Sequence, residues 1–327
     1  MPDNSASKVR QYFKNHLQTM TSSTIRIVTR ESPLAMWQAG FVRDSLCALH
    51  PGIKVEILGI TTQADRLLDS SLESLGGKGA FVKELEQALL EGQADIAVHS
   101  MKDVTIDLPA NLIIPVVLKR EDPRDVFVSN HFSRFIDLPI AARVGTSSLR
   151  RGCQLKAMRP DLQIMDIRGN VGTRLLKLDE EQFDALILAA AGIKRLGFET
   201  RVSEYFAIED MIPAVSQGAL GIEIHADNAK VRDLIEPLSH TQTQLCVNAE
   251  RALNRRLGGD CHLPIAALAE IEGENINMRA LVGRADGSEI VQCTGSALVK
   301  DAQALGDKLG QDLLDKGAAS ILQELKQ

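Results

Sequence analysis

No stretch of this chain approaches the roughly 20 apolar residues that a membrane-spanning helix requires, so no membrane partner is expected. The first 24 residues hold neither an apolar signal core nor a small-residue cleavage site, and residues 1–22 read as a loose polar extension. Cysteine is sparse and odd in number: Cys47, Cys153, Cys246, Cys261 and Cys293 are scattered and never form C-x-x-C. That usage excludes a disulfide framework and suits reduced thiols in a cytoplasmic protein. Cys261 and His262 are too close in sequence to build a metal site alone, so no metal is expected. A basic excess is missing too. Lys and Arg total 37 against 43 Asp and Glu, a net charge of −6, which argues against a nucleic-acid partner. No G-x-G-x-x-G follows an apolar strand. Gly76-Gly77-Lys78-Gly79 lacks the Ser or Thr after lysine that a phosphate loop needs, and reads as a glycine-rich covering segment.

What is present is an alternation of short apolar strands and helices. Residues 25–30 read as a strand, and Ser32-Pro33 supply a helix N-cap and a first-turn proline for apolar positions Leu34, Trp37, Phe41, Leu46 and Leu49. Strands are expected over 55–60, 95–98 and 113–118, with a helix over 81–90. After the charged crossover Glu121-Asp122-Pro123-Arg124-Asp125 the pattern restarts, with strands at 143–145, 163–167 and 185–189. A late strand near 218–224 is expected to rejoin the first sheet. This rhythm predicts an α/β fold of two doubly wound parallel lobes, residues 23–118 with 219–237 and residues 124–213. Residues 241–327 change character and predict a smaller α+β domain with a three-stranded antiparallel sheet. At 327 residues, two or three domains are the expected number.

Three strand-to-turn junctions carry unusual charge. They are Ala97-Val98-His99-Ser100-Met101-Lys102-Asp103, Val144-Gly145-Thr146-Ser147-Ser148-Leu149-Arg150-Arg151, and Ile167-Arg168-Gly169-Asn170-Val171-Gly172-Thr173-Arg174. Two of them open a helix with arginine, the wrong sign for the positive end of a helix dipole. Open α/β sheets bind ligands at such strand ends, so the clusters predict one cleft holding a small polyanion. The hydroxyls and free N–H groups of Thr146, Ser147 and Ser148, with two guanidiniums beside them, would make a carboxylate or phosphate clamp. Cys261 stands apart from the other cysteines, in a Gly-Gly-Asp-Cys loop before proline rather than in a helical or strand-like run.

These segments, together with Thr29-Arg30-Glu31-Ser32-Pro33-Leu34-Ala35, Gly76-Gly77-Lys78-Gly79 and Pro213-Ala214-Val215-Ser216-Gln217-Gly218, closely resemble the porphobilinogen deaminases. The resemblance runs from about residue 25 into the C-terminal domain. It implies a lobe architecture like that of periplasmic binding proteins and an enzyme that condenses four porphobilinogen molecules, with loss of ammonia, into hydroxymethylbilane. It also implies a dipyrromethane cofactor joined through a thioether, here at Cys261. One departure stands in that loop: the family pattern Gly-Gly-Cys-Gln-x-Pro is Gly259-Asp260-Cys261-His262-Leu263-Pro264 here.

By the same resemblance, Asp103 is the catalytic carboxylate and Arg168 sits nearest the reacting ring. Lys102, Asp103, Thr146, Ser147, Ser148, Arg150, Arg151, Arg174 and Gln217 would hold the cofactor. Arg30, Ser32, Lys78, Arg168, Arg174 and Arg195 would meet substrate carboxylates, and a monomer is expected. Two other readings fit parts of the pattern. A two-lobed solute-binding module would need neither Cys261 nor a third domain, and a cysteine-dependent hydrolase would need a base, for which only His262 and distant histidines are on offer.

Overall fold

The computed structural model describes residues 24–62, 82–259 and 263–325. Met1 to Ser22, the glycine-rich segment with Lys78, and the Asp260-Cys261-His262 loop tip lie outside these residues. Strand β1 (Thr24–Arg30) leads into helix α1 (Pro33–Leu49), whose N-cap Ser32 accepts the Ala35 N–H at 3.3 Å. Gln38, Ala39, Val42 and Leu46 face inward at helical spacing. Fully burying one such residue as Leu46 contributes about 1.5–3 kcal/mol. Strands β2 (Lys54–Ile60), β3 (Ile96–Ser100) and β4 (Leu112–Val117) follow, with helix α2 (Lys83–Leu90) before β3.

A second unit holds β5 (Asp125–Val128), β6 (Arg143–Gly145), helix α3 (Leu149–Met158), β7 (Gln163–Met165), helix α4 (Val171–Asp179), β8 (Ala185–Ala189), helix α5 (Ala190–Arg195) and β9 (Glu204–Tyr205). The chain then returns through β10 (Leu220–His225), which pairs with β3 and β4. The two five-stranded sheets have orders β2-β1-β3-β10-β4 and β7-β6-β8-β5-β9. These are the same arrangement, with one strand of each arriving from the other unit.

Both sheets are mixed, which differs from the parallel sheets that the alternation predicts. The reason is the double crossover. β5 and β10 each enter their sheet from the cleft side, so each runs antiparallel to its neighbour. The first residue of β10, Leu220, therefore pairs with Ser100, the last of β3. Asp125, the first of β5, likewise pairs with Ala189. Four strand ends thus converge where the crossovers pass. β5 itself is absent from the sequence reading, because three apolar residues after a charged run carry too little periodicity.

Beyond helix α6 (Ala229–Ile235) lies the C-terminal unit. Helix α7 (Thr241–Arg256) and strands β11 (Ile265–Glu272), β12 (Asn275–Gly283) and β13 (Ile290–Leu298) precede helices α8 (Ala302–Leu313) and α9 (Ala319–Glu324). β11-β12-β13 form an antiparallel sheet whose inward residues Ala267, Met278, Ala280 and Cys293 pack on Leu253, Leu305 and Leu309. Helices α7 and α8 approach so closely that a Cβ on Gly306 would lie 2.0 Å from the Ala249 carbonyl oxygen. Cys153, Cys246 and Cys293 are buried, as their apolar surroundings predict, but Cys47 is exposed on α1. Among the described residues no helix is long and apolar enough to cross a membrane.

Candidate active site

The convergence of strand ends is organised by one carboxylate that the sequence reading placed in a crossover. Asp125 is fully buried at the start of β5. Its Oδ2 lies 2.7 Å from Nη2 of Arg150, while its Oδ1 accepts from Nε and Nη2 of Arg151 at 3.1 and 2.8 Å. The Gln217 side-chain amide donates to Oδ1 at 2.9 Å and to the Pro123 carbonyl at 2.7 Å. The guanidiniums also reach main-chain carbonyls, Arg150 at Ile212 (2.8 Å) and Arg151 at Ile187 (3.0 Å). The arginines that break the dipole preference of α3 are thus turned inward, onto a charge of their own chain. Burial alone would raise the Asp125 pKa. The two guanidiniums and the amide outweigh it and hold the carboxyl well below the usual range. Burial works the other way on Arg150, whose pKa is lowered.

The hydroxyls of the same junction shape the turn. Ser148 caps α3 by accepting the Arg151 N–H, and Thr146 Oγ1 accepts from Ser148 N at 3.2 Å. Ser147 Oγ donates to the Ile167 carbonyl at 2.6 Å and accepts from its N–H at 3.1 Å, tying the end of β6 to the turn before α4. At that turn Asn170 caps α4, and Arg174 Nε donates to the Gly169 carbonyl at 2.8 Å. Arg168 is partly exposed and paired with Asp166 at 3.0 Å.

Lys102 and Asp103 sit on the single turn Met101–Asp103 that ends β3, held by the Met101 N–H on the Ala219 carbonyl at 3.0 Å. Burial pushes the Lys102 ammonium down to about 8, with Arg151 and Arg150 adding to the effect and Asp103 and Asp125 opposing it. Burial and the Arg151 and Arg168 charges likewise bring Arg174 down to about 10, against the pull of Asp166 and Asp103. Asp103 itself is exposed. Among the described residues, five cations (Lys102, Arg150, Arg151, Arg168, Arg174) and three carboxylates (Asp103, Asp125, Asp166) form one electrostatic group. The excess is positive and faces the exposed carboxylate.

Asp103 is also where this group meets the first sheet. With Thr29, Arg30, Ser32, Gln38 and His99 it lines a cavity of about 60 Å³. Arg195 is held elsewhere. Its Nη2 donates to the Gly218 carbonyl at 2.7 Å, its guanidinium lies 6.0 Å from the Trp37 ring centroid, and burial lowers its pKa to about 10. Of the residues singled out from the sequence, Arg150, Arg151, Gln217 and Lys102 gather around Asp125, Asp103, Arg168 and Arg174 join through Lys102 and Arg151, and Arg30 and Ser32 line a cavity with Asp103. Lys78 and Cys261 lie outside the described residues. Asp125 was missed, although an aspartate directly before Val126-Phe127-Val128 is a charge at a strand start, where burial follows from the sheet.

The porphobilinogen deaminase, dipyromethane cofactor binding domain, family model matches residues 25–233, and the porphobilinogen deaminase, C-terminal domain, model matches residues 244–315. The chain is also similar to a periplasmic substrate-binding protein of an ABC transporter from Coxiella burnetii, at 11% identity and a TM-score of 0.43, over 67% of this chain and 94% of that one. The immunogenic lipoprotein A from Vibrio vulnificus matches at 12% identity and a TM-score of 0.43, over 67% and 96% of the two chains. A nutrient binding protein from Burkholderia cenocepacia bound to methionine matches at 13% and 0.42, over 64% and 90%. With the two family matches spanning both α/β units and most of the C-terminal unit, the chain belongs to the porphobilinogen deaminase family.

Proposed function

We propose that Asp103 is the carboxylate on which this chain's chemistry turns, and that the cations around it hold the carboxylates of cofactor and substrate. The reaction is that of the family, hydroxymethylbilane synthesis from porphobilinogen in tetrapyrrole formation. The residues present fit a dipyrromethane group. The cluster has more cations than anions, and the buried Arg150 Nε and Gln217 Oε1 have no hydrogen-bond partner. When bound, that group supplies the ring carbon to which the first substrate is joined. Lys102, Thr146, Ser147, Ser148, Arg150, Arg151, Arg174 and Gln217 would hold it, with Cys261 as the thioether anchor.

The observation that carries this reading is an exposed carboxylate at the rim of a buried, net positive cluster. As ammonia leaves, positive charge develops on the substrate ring, and a fixed carboxylate stabilises charge of that sign. Arg30, Ser32, Arg168, Arg195 and Lys78 would meet the substrate's acetate and propionate groups. Guanidiniums suit that task because they stay charged and bind carboxylates through two parallel hydrogen bonds. Lys102, whose ammonium burial pushes down to about 8, has Asp103 and Asp125 beside it favouring the charged form.

Asp103→Asn tests the assignment. The variant should fold and carry a two-pyrrole mass increment, yet lose at least about two orders of magnitude in rate, the scale of one electrostatic group. Near-normal turnover would remove Asp103 from this role. Cys261→Ser should lack the mass increment altogether. The proposal includes lobes over residues 23–118 with 219–237 and 124–213, and a C-terminal domain over 241–327. It also includes a monomeric, cytoplasmic enzyme with no nucleic-acid or membrane partner, supported by the acidic charge balance and the scattered cysteines.

A further inference from the structure

Behind Asp103 lies a second set of ionisable groups that the reaction as described leaves unused. His99, the fourth residue of β3, is 5% exposed and lines the same cavity as Asp103, Arg30 and Ser32. Its Nε2 lies 2.9 Å from Oε2 of Glu223 on β10, a side chain 1% exposed. The other Glu223 oxygen is buried with no hydrogen-bond partner. Glu86 on α2 is also buried, and burial together with the Glu223 charge pushes its carboxyl up to about 7.

A structural ion pair would explain His99 and Glu223 alone. It does not explain a third buried carboxyl beside them, nor why the imidazole opens on the cavity that holds the reactive carboxylate. With Nε2 donating to Glu223, Nδ1 is the ring's acceptor, the tautomer that a carboxylate partner fixes in acid–base histidines. We propose that His99, oriented by Glu223, is a positioning residue that takes the proton from Asp103 after each addition and releases it to ammonia or water. This rests on the function proposed above. Each addition breaks the aminomethyl C–N bond, with nitrogen keeping the electron pair, and makes one C–C bond. The hydrogen displaced by the new bond leaves as a proton, passes to Asp103 and then to Nδ1 of His99. Its departure from there as ammonium or hydronium restores the neutral ring, so protons balance over the cycle.

Several charges act on His99. Glu223 stands on β10, Glu86 and Lys83 on α2, Arg30 at the end of β1, and Lys102 and Asp103 on the turn after β3; α1 contributes the neutral Gln38, bonded to Ser100. Glu223 accepts from Nε2, so the neutral ring carries its hydrogen there and leaves Nδ1 as acceptor. Nitrogen-15 NMR of His99 in the full chain should therefore show the Nε2–H tautomer, and Glu223→Gln should lose that preference. The Nδ1–H tautomer in the unaltered protein overturns the inference without reference to turnover. The pH profile of kcat/KM gives the second readout. Protonating His99 removes the acceptor, so the rate of the unaltered protein should fall on the acid side. His99→Gln should lose that limb and about 10²-fold in rate, the low end for a positioned proton-transfer group. Glu223→Gln should also reduce turnover, because the ring loses its orienting partner. An acid limb unchanged in His99→Gln also overturns the inference, and if that variant does not fold, unaltered turnover in Glu223→Gln does so. If the unaltered protein consumes no porphobilinogen, it is the parent function that fails, while the NMR tautomer is still decided on its own.

Discussion

A carboxylate buried between two guanidiniums is stable only if nearly every donor and acceptor finds a partner, because desolvating three charges costs several kcal/mol each. Asp125 meets that condition mainly through charge: Arg150 pairs with Oδ2, and Arg151 and Gln217 bond Oδ1, while Arg150 Nε and Gln217 Oε1 stay without a hydrogen-bond partner. Asp125→Asn keeps the shape and removes the charge, leaving two buried cations facing an amide. We expect it to cost about 3–5 kcal/mol, the loss typical of breaking a buried pair, read as a lower urea midpoint. The pH sign follows from the depressed folded-state pKa. Asp125 contributes stability above its unfolded value of about 3.9, and that stability is lost as pH falls below it toward the folded value. The penalty of the variant should therefore shrink in acid. An undiminished midpoint at neutral pH would show that the guanidiniums do not depend on Asp125. At this scale the arginine pair was legible as an anomaly at a helix start. Its partner was not, because Asp125 is separated from it by 25 residues of chain and only sheet pairing brings them together.

At the scale of elements, the junctions work because caps and crossovers fix where each strand ends. Ser32, Ser148 and Asn170 cap their helices with side-chain oxygens, and Ser32 was read as a cap from residue type and position. The crossovers were harder to read. Gly218 has φ of 90°, and its carbonyl accepts from Glu121 N at 3.3 Å and from Arg195 at 2.7 Å. A Cβ there would lie 2.5 Å from the Glu121 carbonyl oxygen, a backbone atom that has nowhere to retreat. Gly218→Ala combines left-handed backbone strain with a clash, each worth about 1–3 kcal/mol. It should lower the thermal midpoint and reduce turnover by displacing Gln217 and Arg195 together. A midpoint equal to that of the unaltered protein would mean that the two crossovers are not held in register by this contact. Motif reading marked the glycine, but only the neighbouring strand explains it.

Over the whole molecule, the two crossovers and the C-terminal sheet meet at Glu250. This residue of α7 is fully buried and accepts four hydrogen bonds: Arg120 Nη1 and Nη2 at 2.6 and 3.1 Å, Ser216 N at 2.6 Å and Ala269 N at 2.8 Å. Arg120 belongs to the outgoing crossover, Ser216 to the returning one and Ala269 to β11, so one carboxylate fastens both hinge segments to the C-terminal sheet. Arg120→Met strands a buried charge and should cost about 3–5 kcal/mol. Adding Glu250→Gln removes that orphan charge, so the double variant should regain part of the loss. Simple addition of the two penalties would show that the residues do not act as a pair.

The order of elements, the helix caps, the two-lobe pattern with a separate C-terminal unit and the charge of the junctions follow from local composition, spacing and motif. Those properties depend on residues within a few positions of one another, and one sequence contains them in full. Tertiary structure decided what the charges do. The antiparallel entry of β5 and β10, the burial of Asp125 under Arg150 and Arg151, the Glu250 fastening and the His99–Glu223 pair all join residues remote along the chain. Electrostatic partners act through space and through the local dielectric, and neither is set until the strands lie side by side.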